Sequence, residues 1–133
     1  MNVTGISGDD TYSLIKKSMD ASALRSKVSA NNIANINTKN YKEMYVTFED
    51  TLKDTVAADT MKTDNSKDIQ AGSSNGQIAV KRDESTSSRQ DGNNVDIDLE
   101  ETNQAANTLM YNALVTQVNS KISLTSYIIG GGK

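Results

Sequence analysis

The chain has 133 residues, a net charge of −3, 35% apolar residues, one Phe and no Trp, which favours one domain without a large self-sufficient core, so that the chain either leaves part of itself unfolded or borrows burial from neighbours. It has no Cys and no His, which excludes disulfide scaffolds and Cys-based zinc sites and removes the commonest general base and metal ligand. The near-balanced charge gives no electrostatic case for nucleic acid or an anionic membrane. No stretch approaches the roughly 20 apolar residues of a membrane-spanning helix. The polar segment from Met1 to Asp10 lacks the apolar region of a cleaved signal peptide.

The first predicted element is a helix from about Asp10 to Asn37, with Asp9 or Asp10 as the residue that caps its free amides. On a 3.6-residue wheel, Tyr12, Ile15, Met19, Ala23, Ala30 and Ile33 form one apolar stripe. Leu14, Ala21, Leu24 and Val28 form a second. Ser18, Ser22 and Ser29 lie between them, small enough for close helix approach. Two stripes fit either one broad face in a small bundle or a helix that meets two sets of neighbours.

Residues 30–42 follow: Ala30, Asn31, Asn32, Ile33, Ala34, Asn35, Ile36, Asn37, Thr38, Lys39, Asn40, Tyr41 and Lys42. Four Asn within seven residues oppose helix continuation and suit a turn, because their amides bond backbone groups and tolerate left-handed conformations. Two readings remain open: a cap and turn, or a cap and turn that also bonds a neighbouring subunit.

The middle, residues 41–94, is expected to be irregular. Tyr41 to Val46 and Gln77 to Lys81 are candidate short extended pieces. Thr47 with Asp50 marks a helix start, and Phe48, Leu52 and Val56 recur every four residues behind it. Asp59 to Gly76 and Ser85 to Asn94 read as loops. The acidic run from Asp91 fails as a calcium loop, since its sixth position is Asp96 where Gly is required.

The last element is a long helix from about Asp98 to Ile129, with Asp98 as N-cap and Glu101 completing a capping box. Tyr111, Val115, Val118, Ile122, Thr125 and Ile129 form a seam with spacings suited to coiled-coil packing. Ala106, Leu109, Ala113, Leu124 and Tyr127 form a second stripe, and Gly130, Gly131 and Gly132 end the helix. No Ser has a His partner, no Gly-rich loop sits between a strand and a helix, and no pocket framework holds two carboxylates. An enzyme is therefore the least supported class, with neither cofactor nor metal expected.

The run Ala30-Asn-Asn-Ile-Ala-Asn-x-x-Thr-x-x-Tyr-Lys42 resembles the N-terminal signature of flagellar rod and hook axial proteins. In that family the turn reads Thr-Pro-Gly-Tyr, and here it is Thr38-Lys39-Asn40-Tyr41. The run from Asp91 to Glu100 and the segment from Thr108 to Leu114 resemble the proximal rod type within the family; the segment from Met61 to Ile69 is a weaker likeness. The resemblance implies a mainly α fold in which the N- and C-terminal helices pair as an antiparallel coiled coil. Residues 1–40 and 95–133 would form this axial core domain, and 41–94 a small irregular part with short helix and strand pieces.

The resemblance further implies a structural subunit of the flagellar basal body rod that assembles helically and transmits torque, outside the cytoplasmic membrane. Its partners would be its own copies, other rod proteins, the membrane-ring rod adaptor and, during secretion without a cleaved signal peptide, the flagellar type III export apparatus. Nucleic acid and direct membrane insertion are not expected. Ala30, Asn31, Asn32, Ile33, Ala34, Asn35, Thr38, Tyr41 and Lys42 would serve assembly. Leu24, Val28, Leu109, Tyr111, Leu114, Val115, Val118 and Ile122 would pack helices. The competing reading is a soluble helical binding module such as a flagellar export chaperone, which would fold alone and bind one partner.

Overall fold

Two helices carry most of the structure. The computed structural model describes residues 8–53, 76–85 and 89–131. Helix α1 spans Gly8–Ala34, strands β1 and β2 span Met44–Thr47 and Ala79–Arg82, and helix α2 spans Ile97–Ile129. At 1.5 Å per residue the helices are about 40 and about 50 Å long. The fold is mainly helical, its N- and C-terminal helices pack together, and the middle holds only short pieces. Val56, the Asp59–Gly76 loop before its last residue, the motif from Met61 to Ile69, and Gly132 lie outside the described residues.

The helices run antiparallel. Ser22 meets Asn107, Ser26 meets Gln104 and Ser29 meets Glu100, so one sequence ascends as the other descends. Continuing that register brings Leu14 and Ile15 level with Leu114 and Val115. These four side chains are buried or half-buried. Of the serines expected to be spacers, Ser22 and Ser29 are part of the seam itself, whereas the Ser18 hydroxyl donates to the Leu14 carbonyl of its own helix. Among the described residues the buried polar or charged side chains (Ser22, Ser29, Asn32, Thr47, Asn93, Glu100 and Asn107) outnumber the buried apolar ones (Ile15, Ala21, Val28, Val46, Phe48 and Val95). Hydrogen bonds rather than a continuous apolar core therefore set the helix register.

The first apolar stripe of α1 is divided: Ile15 is buried and Met19 and Ile33 are half-buried, but Tyr12, Ala23 and Ala30 are exposed. Val28 and Ala21 of the second stripe turn inward. Both helix starts differ from expectation. Asp9 and Asp10 lie inside α1 rather than capping it. Asp98 and Glu101 are exposed residues within α2; the N-cap is Asp96, whose carboxylate accepts from the Asp98 and Leu99 amides at 3.0 and 3.4 Å. Asp in a sequence of alternating acids marks a cap only to within a turn, because any of them can accept those amides.

Helix α1 ends at Ala34, short of Asn37, because Asn35 diverts the ladder. Its backbone amide is shared between the Asn31 and Asn32 carbonyls at 3.2 and 3.1 Å, and its side chain donates to the Asn31 carbonyl at 2.8 Å. The two extended pieces of the middle pair with each other antiparallel, Met44 opposite Arg82 and Thr47 opposite Ala79. Residues 49–53 are helical after β1. Gly76 packs there against Phe48, Thr51 and Leu52.

Candidate functional site

The Asn-rich segment and the start of α2 form one polar junction. Asn32 is 0% exposed. Its Nδ2 donates to the Met44 carbonyl and to Glu100 Oε1, both at 2.7 Å. Its Oδ1 accepts from the Met44 amide at 3.0 Å and the Tyr41 hydroxyl at 3.2 Å. One amide side chain therefore joins the end of α1, the start of β1 and the first turn of α2. Glu100 Oε2 also accepts the Ser29 hydroxyl, which gives the buried carboxylate two donors.

Asn93 closes the other side of the junction. It too is 0% exposed. Its Nδ2 lies 2.9, 2.9 and 3.0 Å from the carbonyls of Asn35, Ile36 and Thr38, which follow the end of α1. Its Oδ1 accepts from the Val95 amide at 2.8 Å, and its own amide donates to Asp91 Oδ1 at 3.1 Å. That last bond, aided by Arg89, holds the Asp91 carboxyl below its usual range.

The turn before Tyr41 closes without Pro or Gly. The Tyr41 amide donates to the Thr38 carbonyl at 3.2 Å, and Asn40 has φ +58°, the left-handed value that the third residue of a type II turn needs. Gly92 fits against it: its φ is +78°, and a Cβ there would stand 2.6 Å from Asn40 Oδ1. The Asn40 amide donates to the Asp91 carbonyl at 3.0 Å, so the two turns are hydrogen-bonded together.

Burial raises the Glu43 carboxyl to about 7, with the charge and hydrogen bond of Glu100 adding to the effect. Burial also raises the Tyr41 phenol, Arg82 opposes that shift, and Glu100 reinforces it. Arg25 of α1 binds both oxygens of Glu49, at 2.7 and 2.8 Å, fixing the residues after β1 to the helix pair.

Of the residues expected to serve assembly, Asn32, Asn35, Thr38 and Tyr41 have intrachain partners: Asn35 Oδ1 accepts the Thr38 hydroxyl at 3.2 Å. Lys42 donates to the Ser85 carbonyl at 2.9 Å, Ile33 is half-buried, and Ala30, Asn31 and Ala34 are exposed. Of those expected to pack helices, Val28 is buried and Leu24, Leu114, Val115 and Val118 are half-buried. Tyr111 and Ile122 are 39% and 51% exposed, and Leu109 is 72% exposed. Leu109 thus faces away from α1. Leu124, Tyr127, Ile128 and Ile129, toward the end of α2, are also exposed.

Sequence reasoning missed Asn93 and Glu100 as parts of the junction. Two adjacent Asn beside three positions of alternating acids carry no local sign of which side chain turns inward. Among the described residues no group of acids is arranged to hold a metal ion, and no helix is long and apolar enough to cross a membrane.

Residues 19–42 match a family model described as flagella basal body rod protein. Over 125 residues the chain is 37% identical to the flagellar basal body rod protein FlgB of Bacillus subtilis (strain 168), covering 92% of this chain and 95% of that relative. It is 33% identical over 129 residues to FlgB of Borrelia hermsii, covering 90% and 92%. The matched region holds the buried face of α1 and the whole Asn-rich turn, and the likeness runs on through α2: the chain belongs to the FlgB family of flagellar basal body rod proteins.

Proposed function

We propose that the chain is a structural subunit of the flagellar basal body rod and that it polymerises through the outward faces of its two terminal helices as part of the proximal rod. The observation that supports this reading is the division of α2 into two faces. Glu100, Gln104 and Asn107 bond to α1, while Leu109, Leu124 and Tyr127 on the other side of the helix remain exposed. Exposed apolar surface on a small polar chain calls for a covering partner. A head-to-tail contact that does not close generates a helical assembly, and stacking of paired helices would transmit torque. The non-enzymatic reading rests on membership of a rod-protein family.

The finer parts of the proposal follow from the same family. The helix pair would act as a coiled coil within the assembly, with self-copies, other rod proteins and the membrane-ring rod adaptor as neighbours. Delivery would use the flagellar type III export apparatus. Asn31, Ala30 and Ala34, exposed on the last turns of α1, are the part of the Asn-rich motif open to a neighbouring subunit. Asn32 acts inside the chain.

Sedimentation and circular dichroism of the purified chain, from low to high concentration, test the proposal. Association accompanied by a gain in helicity supports it. A fully helical monomer that never associates points to the export chaperone.

A further inference from the structure

Strand β1 is paired on one side only. The Asp83 amide donates to the Glu43 carbonyl at 2.8 Å, and the antiparallel register sets Tyr45 opposite Lys81 and Thr47 opposite Ala79. Hydrogen-bonded pairs alternate along such a ladder. The amides and carbonyls of Met44 and Val46 therefore point away from β2. Those of Met44 are taken by Asn32. Those of Val46 have no partner among the described residues, although Val46 is only 8% exposed. Backbone groups so enclosed are costly to leave unpaired.

This open edge borders a groove of about 330 Å³, which residues 43–46 line together with Val28 of α1 and Ala106 and Met110 of α2. Glu43 and Glu100 also line it. Among the described residues its one cation, Arg25, is bound to Glu49. The groove is thus an acidic cleft beside an unpaired strand edge.

Strand β2 carries a matching edge. Val80 and Arg82 stand opposite Val46 and Met44, so their backbone groups also point away from the partner strand. No partner for them is present among the described residues. Val80 is 45% exposed, and Lys81 and Arg82 are exposed beside it.

We propose that the groove receives strand β2 of a second copy of this chain, whose outer edge pairs with Val46 of β1. The inference deepens the reading of the chain as a helically assembling subunit and rests on it; the strand contact acts alongside the helix faces. Main-chain hydrogen bonds would supply the attachment, as in other strand additions. Lys81 and Arg82 of the incoming strand bring positive charge to a cleft lined by Glu43 and Glu100. Basic residues on an edge strand also keep it from pairing with the wrong partner. The two surfaces differ, so each copy offers one and receives the other, which is a head-to-tail contact that does not close.

Amide hydrogen exchange of the full-length wild-type chain tests this, at high dilution and at a concentration where sedimentation shows association. The Val46 and Val80 amides should each gain about tenfold protection on association. The Tyr45 and Lys81 amides, paired within the chain, should be protected in both states. Association with no gain at Val46 overturns the strand contact while leaving helical assembly standing. A gain at Val46 without one at Val80 gives the groove to another strand and overturns the pairing with β2. A chain that never associates overturns both readings. Val46→Pro removes the amide that faces the groove and no bond to β2. It should weaken association about tenfold at unchanged helicity. Association equal to wild type in that variant overturns the proposal. Should the variant lose helicity, the wild-type exchange measurement decides alone.

Discussion

Asn32 Nδ2 stands 2.7 Å from Glu100 Oε1, joining the last turns of α1 to the first turn of α2 across 68 positions of sequence. Two segments of the family likeness, residues 30–42 and 91–100, are therefore one structural unit. The Asn32 amide resolves the ends of three elements at once, and Asn93 resolves the end of α1 from the opposite side. Buried amides suit this position because each supplies donors and an acceptor in fixed geometry.

Asn32→Ala removes the partners of the Met44 amide and carbonyl and of Glu100 Oε1. Each buried group left unpaired costs about 1–3 kcal/mol. Water entering the vacated space recovers part of that, so the net loss should be about 3 kcal/mol. Urea denaturation checks the figure, and a loss below about 1 kcal/mol would show that Asn32 is not the centre of the junction.

Gly92→Ala and Gly131→Ala separate backbone strain from crowding. Both glycines have positive φ, +78° and +72°, but a Cβ at Gly92 meets Asn40 Oδ1 at 2.6 Å whereas none of the protein lies within 4 Å at Gly131. Gly131→Ala should cost about 1 kcal/mol of local stability at the end of α2. Gly92→Ala should cost clearly more and should displace Asn40. Equal effects in thermal denaturation would remove crowding from the account.

How much of this was legible in the sequence depends on how local the signal was. The two long helices, the extended pieces and the Asn-rich turn follow from periodicity and residue type. Asn40 takes the left-handed conformation expected of a Gly substitute. The polar seam was legible only in part: Ser22 and Ser29 read as small residues that let a helix approach, but their hydrogen-bonding to Asn107 and Glu100 shows only once α2 is placed opposite α1. The cap moved from Asp98 to Asp96 because neighbouring acids are chemically equivalent there. The burial of Glu100 and Asn93 follows from tertiary contacts with residues 55 to 71 positions away, beyond the reach of any local pattern.

The polar seam yields a non-additive pair. Asn107 exchanges hydrogen bonds with Ser22, accepting from its hydroxyl at 2.8 Å and donating to its carbonyl at 2.9 Å. Asn107→Ala alone should destabilise the helix pair by about 2 kcal/mol, since the buried Ser22 hydroxyl loses its 2.8 Å acceptor and the Ser22 carbonyl loses its donor from α2. Asn107→Leu combined with Ser22→Ala should be neutral or stabilising, because apolar groups replace the hydroxyl and the amide. A double-mutant cycle in urea reads the coupling, and strict additivity would mean that the two side chains act independently.

Charges placed on the two sides of α2 should separate folding from assembly. Leu109 is 72% exposed, so Leu109→Asp should leave the helicity of the isolated chain within about 0.5 kcal/mol of wild type in stability. Association should nevertheless be lost, because the charge would have to be buried against a neighbouring subunit. Val118 is half-buried on the side of α2 that faces α1. Val118→Asp should therefore weaken the helix pair itself as well as incorporation into the rod. Circular dichroism and sedimentation on both variants, together with motility of cells that carry them, give the comparison. Normal association of Leu109→Asp would show that the exposed stripe of α2 is not the contact between copies, and assembly would then have to run through α1.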